Sequence, residues 1–189
     1  MKKIEIKDLI YDKEKNITNL YFKDEKLDFF NNIKVGTHFA YEGAFGFTEE
    51  KIKNINKKLT KYTPYHHALY IGNGEILQYT GGINNFSFSG IKSAFQNAEV
   101  VKDTIDNFKN LAKKKGRLFL IEHDIIDEKE NILKRCDEVL GEKKYSFFNN
   151  CEDIVNYCLT GEKKSIQRET LINDISETFM NIFKDFKKN

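Results

Sequence analysis

Residues 1–33 alternate short apolar runs with charge: Ile4, Ile6 and Leu9-Ile10-Tyr11, then Ile17 and Leu20-Tyr21-Phe22. The run Asp12-Lys13-Glu14-Lys15-Asn16 between them reads as a turn, which predicts an N-terminal hairpin. Val35-Gly36-Thr37-His38-Phe39-Ala40-Tyr41 is a further short strand by its pattern. Residues 42–63 are punctuated by glycine and then rich in Lys and Asn, with a short helix over 48–60; they form a surface insertion and a candidate lid. Two strands come next, His66–Ile71 and Glu75–Thr80. Gly72-Asn73-Gly74 joins them as a hairpin turn, because these residues tolerate positive φ.

Beyond a loop from Gly81 to Gly90, Glu99-Val100-Val101 reads as a strand and Thr104–Lys114 as a weak helix. Leu118–His123 is a buried strand or core segment by its apolar run. Ile132, Leu133, Cys136, Val139 and Leu140 recur at helical spacing over Asp127–Leu140, with Gly141 as the stop. A helix over about 151–159 ends at Gly161. From Thr170 to Lys188 one face collects Ile172, Ile175, Phe179, Ile182, Phe183 and Phe186, which predicts an amphipathic helix. Its charged residues keep it from crossing a bilayer, and core or interface packing suits it better than membrane binding. No repeat and no linker divides the chain.

Composition narrows the function classes. The chain has 189 residues, enough for one substantial core, and is 40% hydrophobic and 32% charged. A net charge of +2, with arginine only at 117, 135 and 168, gives no ground for a nucleic-acid partner. Three cysteines, odd in number and without metal-type pair spacing, argue against a disulfide scaffold and for a reducing compartment. The start, Met1-Lys2-Lys3-Ile4-Glu5-Ile6-Lys7-Asp8, lacks the apolar stretch of a signal peptide, and no segment suits a transmembrane helix. A cytoplasmic protein is expected, at most peripheral to a membrane.

Chemistry concentrates in two segments. In Phe148-Asn149-Asn150-Cys151-Glu152-Asp153-Ile154-Val155, a cysteine stands where an apolar-periodic segment begins. The unpaired amides and positive dipole end of a helix start favour a thiolate there. Tyr65-His66-His67-Ala68-Leu69-Tyr70 offers its base. Adjacent strand residues point to opposite faces, so only one histidine can face the cysteine. His67, in the company of Leu69 and Ile71, reads as structural, and His66 is favoured as functional. Gln78 on the return strand can orient the ring through its amide. The backbone N–H of Cys151 is one expected oxyanion donor.

Ordinary roles suit the remaining candidates. Cys136 and Cys158 read as core, His38 as a structural or surface residue, and His123, between Glu122 and Asp124, as a solvated loop residue. A zinc site from His38, His66, His67 and a cysteine has no supporting spacing, so neither metal nor cofactor is expected.

The segment His66, Ala68, Leu69, Tyr70, Ile71, Gly72, Asn73, Gly74 resembles the histidine strand of the lecithin retinol acyltransferase family, which includes the H-Ras-like suppressor phospholipid acyltransferases. Asn150-Cys151-Glu152-Asp153-Ile154-Val155 is similar to that family's nucleophile block. Gly161 and Ser165-Ile166-Gln167 are similar to the segment after that block, and Val35-Gly36-Thr37 to a motif upstream. Gln78 stands where the family usually carries a second histidine. The likeness covers about residues 35–168.

The resemblance implies an α+β, circularly permuted papain-like fold of the acyltransferase and NlpC-like kind, an antiparallel sheet packed against helices. Residues 1–34 would be an N-terminal extension, 35–168 the catalytic domain with its insertion at 42–63, and 169–189 the C-terminal helix. It implies Cys151 as nucleophile, His66 as general base and Gln78 as the third polar residue. The activity implied is acyl transfer or hydrolysis through an acyl-thioester, on a lipid or other acyl ester. Phe86, Phe88, Phe147 and Phe148 are candidates for an acyl groove. The alternatives are an NlpC-like cysteine peptidase or amidase, and a non-catalytic binding or regulatory module on the same fold.

Overall fold

The structure is a computed structural model that describes residues 2–24, 30–31, 33–42, 65–79, 98–143, 150–166 and 169. The expected insertion, the Phe86 and Phe88 loop, Phe147 and Phe148, and the C-terminal helix lie outside them. Among the described residues the strands are β1 (Lys2–Asp12), β2 (Ile17–Phe22), β3 (Phe30–Asn31), β4 (His38–Glu42), β5 (Tyr65–Gly72), β6 (Glu75–Tyr79), β7 (Val100–Thr104) and β8 (Leu118–Glu122). The helices are α1 (Ile105–Lys115), α2 (Lys129–Val139) and α3 (Cys151–Thr160).

All eight strands form one sheet in the order β3-β2-β1-β8-β4-β5-β6-β7, paired antiparallel throughout. The class is therefore α+β. The N-terminal hairpin is present and is continuous with the rest, because β1 pairs β8 from Lys2–Glu122 to Ile6–Leu118. β8 thus lies mid-sheet, as its apolar run requires. The strand expected over Val35–Tyr41 starts later, at His38. Gly36, at φ +92, instead turns the chain into it while donating its N–H to Tyr70 O at 2.9 Å. The β5–β6 turn takes positive φ at Asn73 (53°) and Gly74 (73°), as that hairpin geometry demands.

Alternation along the strands builds a core on each face. On one side Phe39, Tyr41, Ala68, Tyr70 and Ile76 pack with Ile105, Phe108 and Ala112 of α1. On the other, Leu69, Leu77, Tyr79 and Val100 meet Ile132, Cys136 and Val139 of α2 and Cys151, Ile154, Val155, Cys158 and Leu159 of α3. Each fully buried Leu, Ile or Phe contributes about 1.5–3 kcal/mol to this packing. Cys136 and Cys158 are core residues, as their pattern implies. Strand β5 is therefore covered on both faces, and its two histidines enter different environments.

Candidate active site

Helix α3 begins as the sequence around Asn150 dictates. The Asn150 side chain accepts hydrogen bonds from the N–H groups of Glu152 (2.9 Å) and Asp153 (3.1 Å), and the Asp153 carboxylate in turn accepts from Asn150 N–H. This reciprocal cap satisfies otherwise orphaned donors and places Cys151 at the first helical position. Gly161, in the left-handed region at φ 82, closes the other end. Glu152 is buried, held by the Ser165 hydroxyl at 2.6 Å, and Ser165 also accepts from Asn150 Nδ2 at 3.3 Å.

The thiol of Cys151 meets the main chain of β5 on both sides of His66. His67 N–H donates to Sγ at 3.4 Å, and Sγ–H donates to Tyr65 O at 3.7 Å. The ladder between β5 and β6 runs from Gly72–Glu75 to Ala68–Gln78. The sulfur's contacts lie at the beginning of β5, before Ala68. The dipole of α3 and the donated N–H of His67 favour an anionic sulfur, while burial and the Tyr65 carbonyl favour the thiol.

His66 lies on the α1 face, paired with Tyr41 of β4, the ring centroids 5.0 Å apart. Gln78, the residue opposite Ala68, stands diagonal to it, within reach of a long side chain. His66 Nε2 and Gln78 Oε1 are 2.9 Å apart. Burial holds the His66 imidazole below its ordinary range, against a smaller opposing effect of the Gln78 hydrogen bond, so the neutral, proton-accepting form is favoured near pH 7. Gln78 in turn donates from Nε2 to Asp103 Oδ2 at 2.8 Å. Asp103 Oδ1 accepts from Thr104 N–H and from Asn107 Nδ2, both at 2.7 Å. Tyr41 is buried, and burial, followed by proximity to Cys151, pushes its hydroxyl pKa well up.

His67 points the other way and is buried, as its apolar neighbours suggest. Its Nδ1 shares a hydrogen with His38 Nε2 at 2.8 Å, and His38 Nδ1 shares another with His123 Nε2 at 2.8 Å. His38 is buried. The solvated role expected for His123 is overturned: its ring is half-buried and tied to His38, because β8 and β4 are neighbours and bring the two together. Burial depresses all three imidazoles, His67 down to about 3 with help from the charges of His66, Lys3 and His123. Among the described residues no group of His, Cys, Asp and Glu is arranged to hold a metal ion.

Of the three predicted site residues, His66 and Gln78 are hydrogen-bonded partners, and Cys151 contacts the backbone on either side of His66. Sequence reasoning missed Tyr41 and Asp103. Their signal lies in strand register, which pairs Tyr41 with His66 and sets Asp103 opposite Ile76, next but one to Gln78. No helix among the described residues is long and apolar enough to cross a membrane.

A family model described as Lecithin retinol acyltransferase matches residues 53–164, more than half of the chain. That span holds His66, Gln78, Asp103 and Cys151 and leaves out the N-terminal hairpin. Among curated proteins, no relative matches the chain.

Proposed function

Because the chain belongs to the lecithin retinol acyltransferase family, we propose that it is a cysteine-dependent acyltransferase or hydrolase, on a circularly permuted papain-like fold, that works through an acyl-thioester on Cys151. The strongest support for this reading is the seat of the thiol, at the capped start of α3 and against the backbone on both sides of His66, whose Nε2 is engaged by Gln78. In the first step the thiol proton passes from Sγ to Nδ1 of His66 as sulfur attacks the acyl carbonyl carbon. The S–C bond forms, and the carbonyl oxygen takes the charge, facing the backbone N–H of Cys151. Collapse breaks the bond to the leaving alcohol, which takes the proton from His66. Water, or an acceptor alcohol or amine, then gives a proton to the same nitrogen as it attacks the thioester, and Cys151 leaves as the thiol.

The substrate class is a lipid or related acyl ester, as the family name and the motifs imply; membrane contact, if the substrate requires it, is peripheral. Incubation with a panel of phospholipids and peptides, followed by intact-mass analysis, tests both the chemistry and the class. An acyl adduct on Cys151 from a lipid ester, lost in Cys151→Ser, is the expected result. An adduct from peptides with none from lipids would overturn the lipid assignment, and no adduct from either would overturn the thioester.

A further inference from the structure

The row His66, Gln78, Asp103 crosses three neighbouring strands on one face, and its hydrogen bonds have a fixed direction. We propose that Asp103 is a positioning residue that, through Gln78, sets which nitrogen of His66 carries the proton. This rests on the reading of His66 as the base.

Direction comes from donor and acceptor capacity. A carboxylate only accepts, so the side of Gln78 that faces Asp103 has to be its NH2 group. The amide oxygen then faces His66, and an oxygen at 2.9 Å from Nε2 requires a hydrogen on Nε2. In a neutral ring that leaves Nδ1 unprotonated, the nitrogen able to take the thiol proton. Gln78 alone fixes nothing, because an amide turned over presents NH2 to the ring and selects the opposite tautomer. The decision is made at Asp103, whose other oxygen is pinned by Thr104 N–H and Asn107 Nδ2. A neutral amide at position 78 thus transmits the polarity of a carboxylate without placing its charge on the ring.

Asp103→Asn is a stringent variant. The Thr104 and Asn107 donors hold the new side-chain oxygen where Oδ1 was, so its NH2 faces Gln78. Gln78 is then driven to turn over and donate to His66 Nε2, which moves the ring proton to Nδ1. Two readouts apply: the tautomer of His66 by 15N NMR of the imidazole, and the rate and pH profile of Cys151 alkylation by iodoacetamide. The expected result for Asp103→Asn is a switch from the Nε2–H to the Nδ1–H form. Alkylation near pH 7 should slow about 10- to 100-fold, the size known for losing partners that orient metal-ligating histidines.

The double variant Asp103→Asn with Gln78→Glu rebuilds the direction. The amide introduced at position 103 donates to the carboxylate introduced at position 78, and that carboxylate accepts from His66 Nε2–H. It should restore the Nε2–H form and most of the rate. An unchanged tautomer in Asp103→Asn, or a rate loss that the double variant fails to recover, would overturn the inference. If wild-type Cys151 is unreactive the proposed function fails, and the tautomer measurement still decides the role of Asp103.

Discussion

Strand β5 carries two adjacent histidines, and the networks they enter differ in one respect. His66 leads through Gln78 to a carboxylate, whereas His67 leads through His38 to His123, another imidazole. The first chain has a direction, because a carboxylate has no proton to give. The second is a run of three imidazoles, each able to donate or accept at either nitrogen, so the rings by themselves set no direction. The difference teaches that a carboxylate at the end of a hydrogen-bonded chain dictates its polarity, whereas imidazoles linked to one another do not.

The largest expected effect breaks the directed chain. His66→Ala should slow Cys151 alkylation near pH 7 by about 100-fold or more, the usual range for loss of a general base. The sulfur keeps its contacts to Tyr65 and His67, since both come from the backbone. Breaking the imidazole chain should cost stability instead. His38→Leu leaves the buried Nδ1 of His67 without its ring partner, an expected loss of about 2 kcal/mol in urea unfolding. It should leave the His66 tautomer as it is, in contrast to Asp103→Asn.

The pH dependence of stability adds a further test. Burial lowers the pKa of His38, His66, His67 and His123, so the unfolded chain binds more protons than the native one once pH drops below about 6.5. Stability is therefore full above that pH and is lost as pH falls. His67, depressed to about 3, alone contributes a slope of about 1.4 kcal/mol per pH unit between its two values. Thermal midpoints from pH 7 to pH 5 check the sign, and His67→Phe should flatten the slope.

The parts legible in the sequence are those set by local pattern. The Asn73-Gly74 turn, the Asn150 cap and the start of α3 depend on residues a few positions apart. The spacing of His66 and Gln78 is equally local, because one tight hairpin joins their strands. Asp103 and the pairing of His38 with His123 depend on which strands become neighbours, and alternation along a single strand carries no such information. A solvated His123 is the wrong expectation for that reason: its charged sequence neighbours, Glu122 and Asp124, say nothing of the ring that β4 presents to it.

The most direct test of the central claim compares the three cysteines of the native protein. All three are buried, but Cys136 and Cys158 lie within their helices, whereas Cys151 stands at the first position of α3 with its sulfur against the β5 backbone. Under limiting iodoacetamide at pH 7, peptide mapping should find Cys151 modified well ahead of the other two. Its reaction should retain a thiolate fraction below the ordinary cysteine pKa of about 8.5. Equal or slower labelling of Cys151 than of Cys136 and Cys158 in the folded protein would contradict the assignment of Cys151 as the nucleophile.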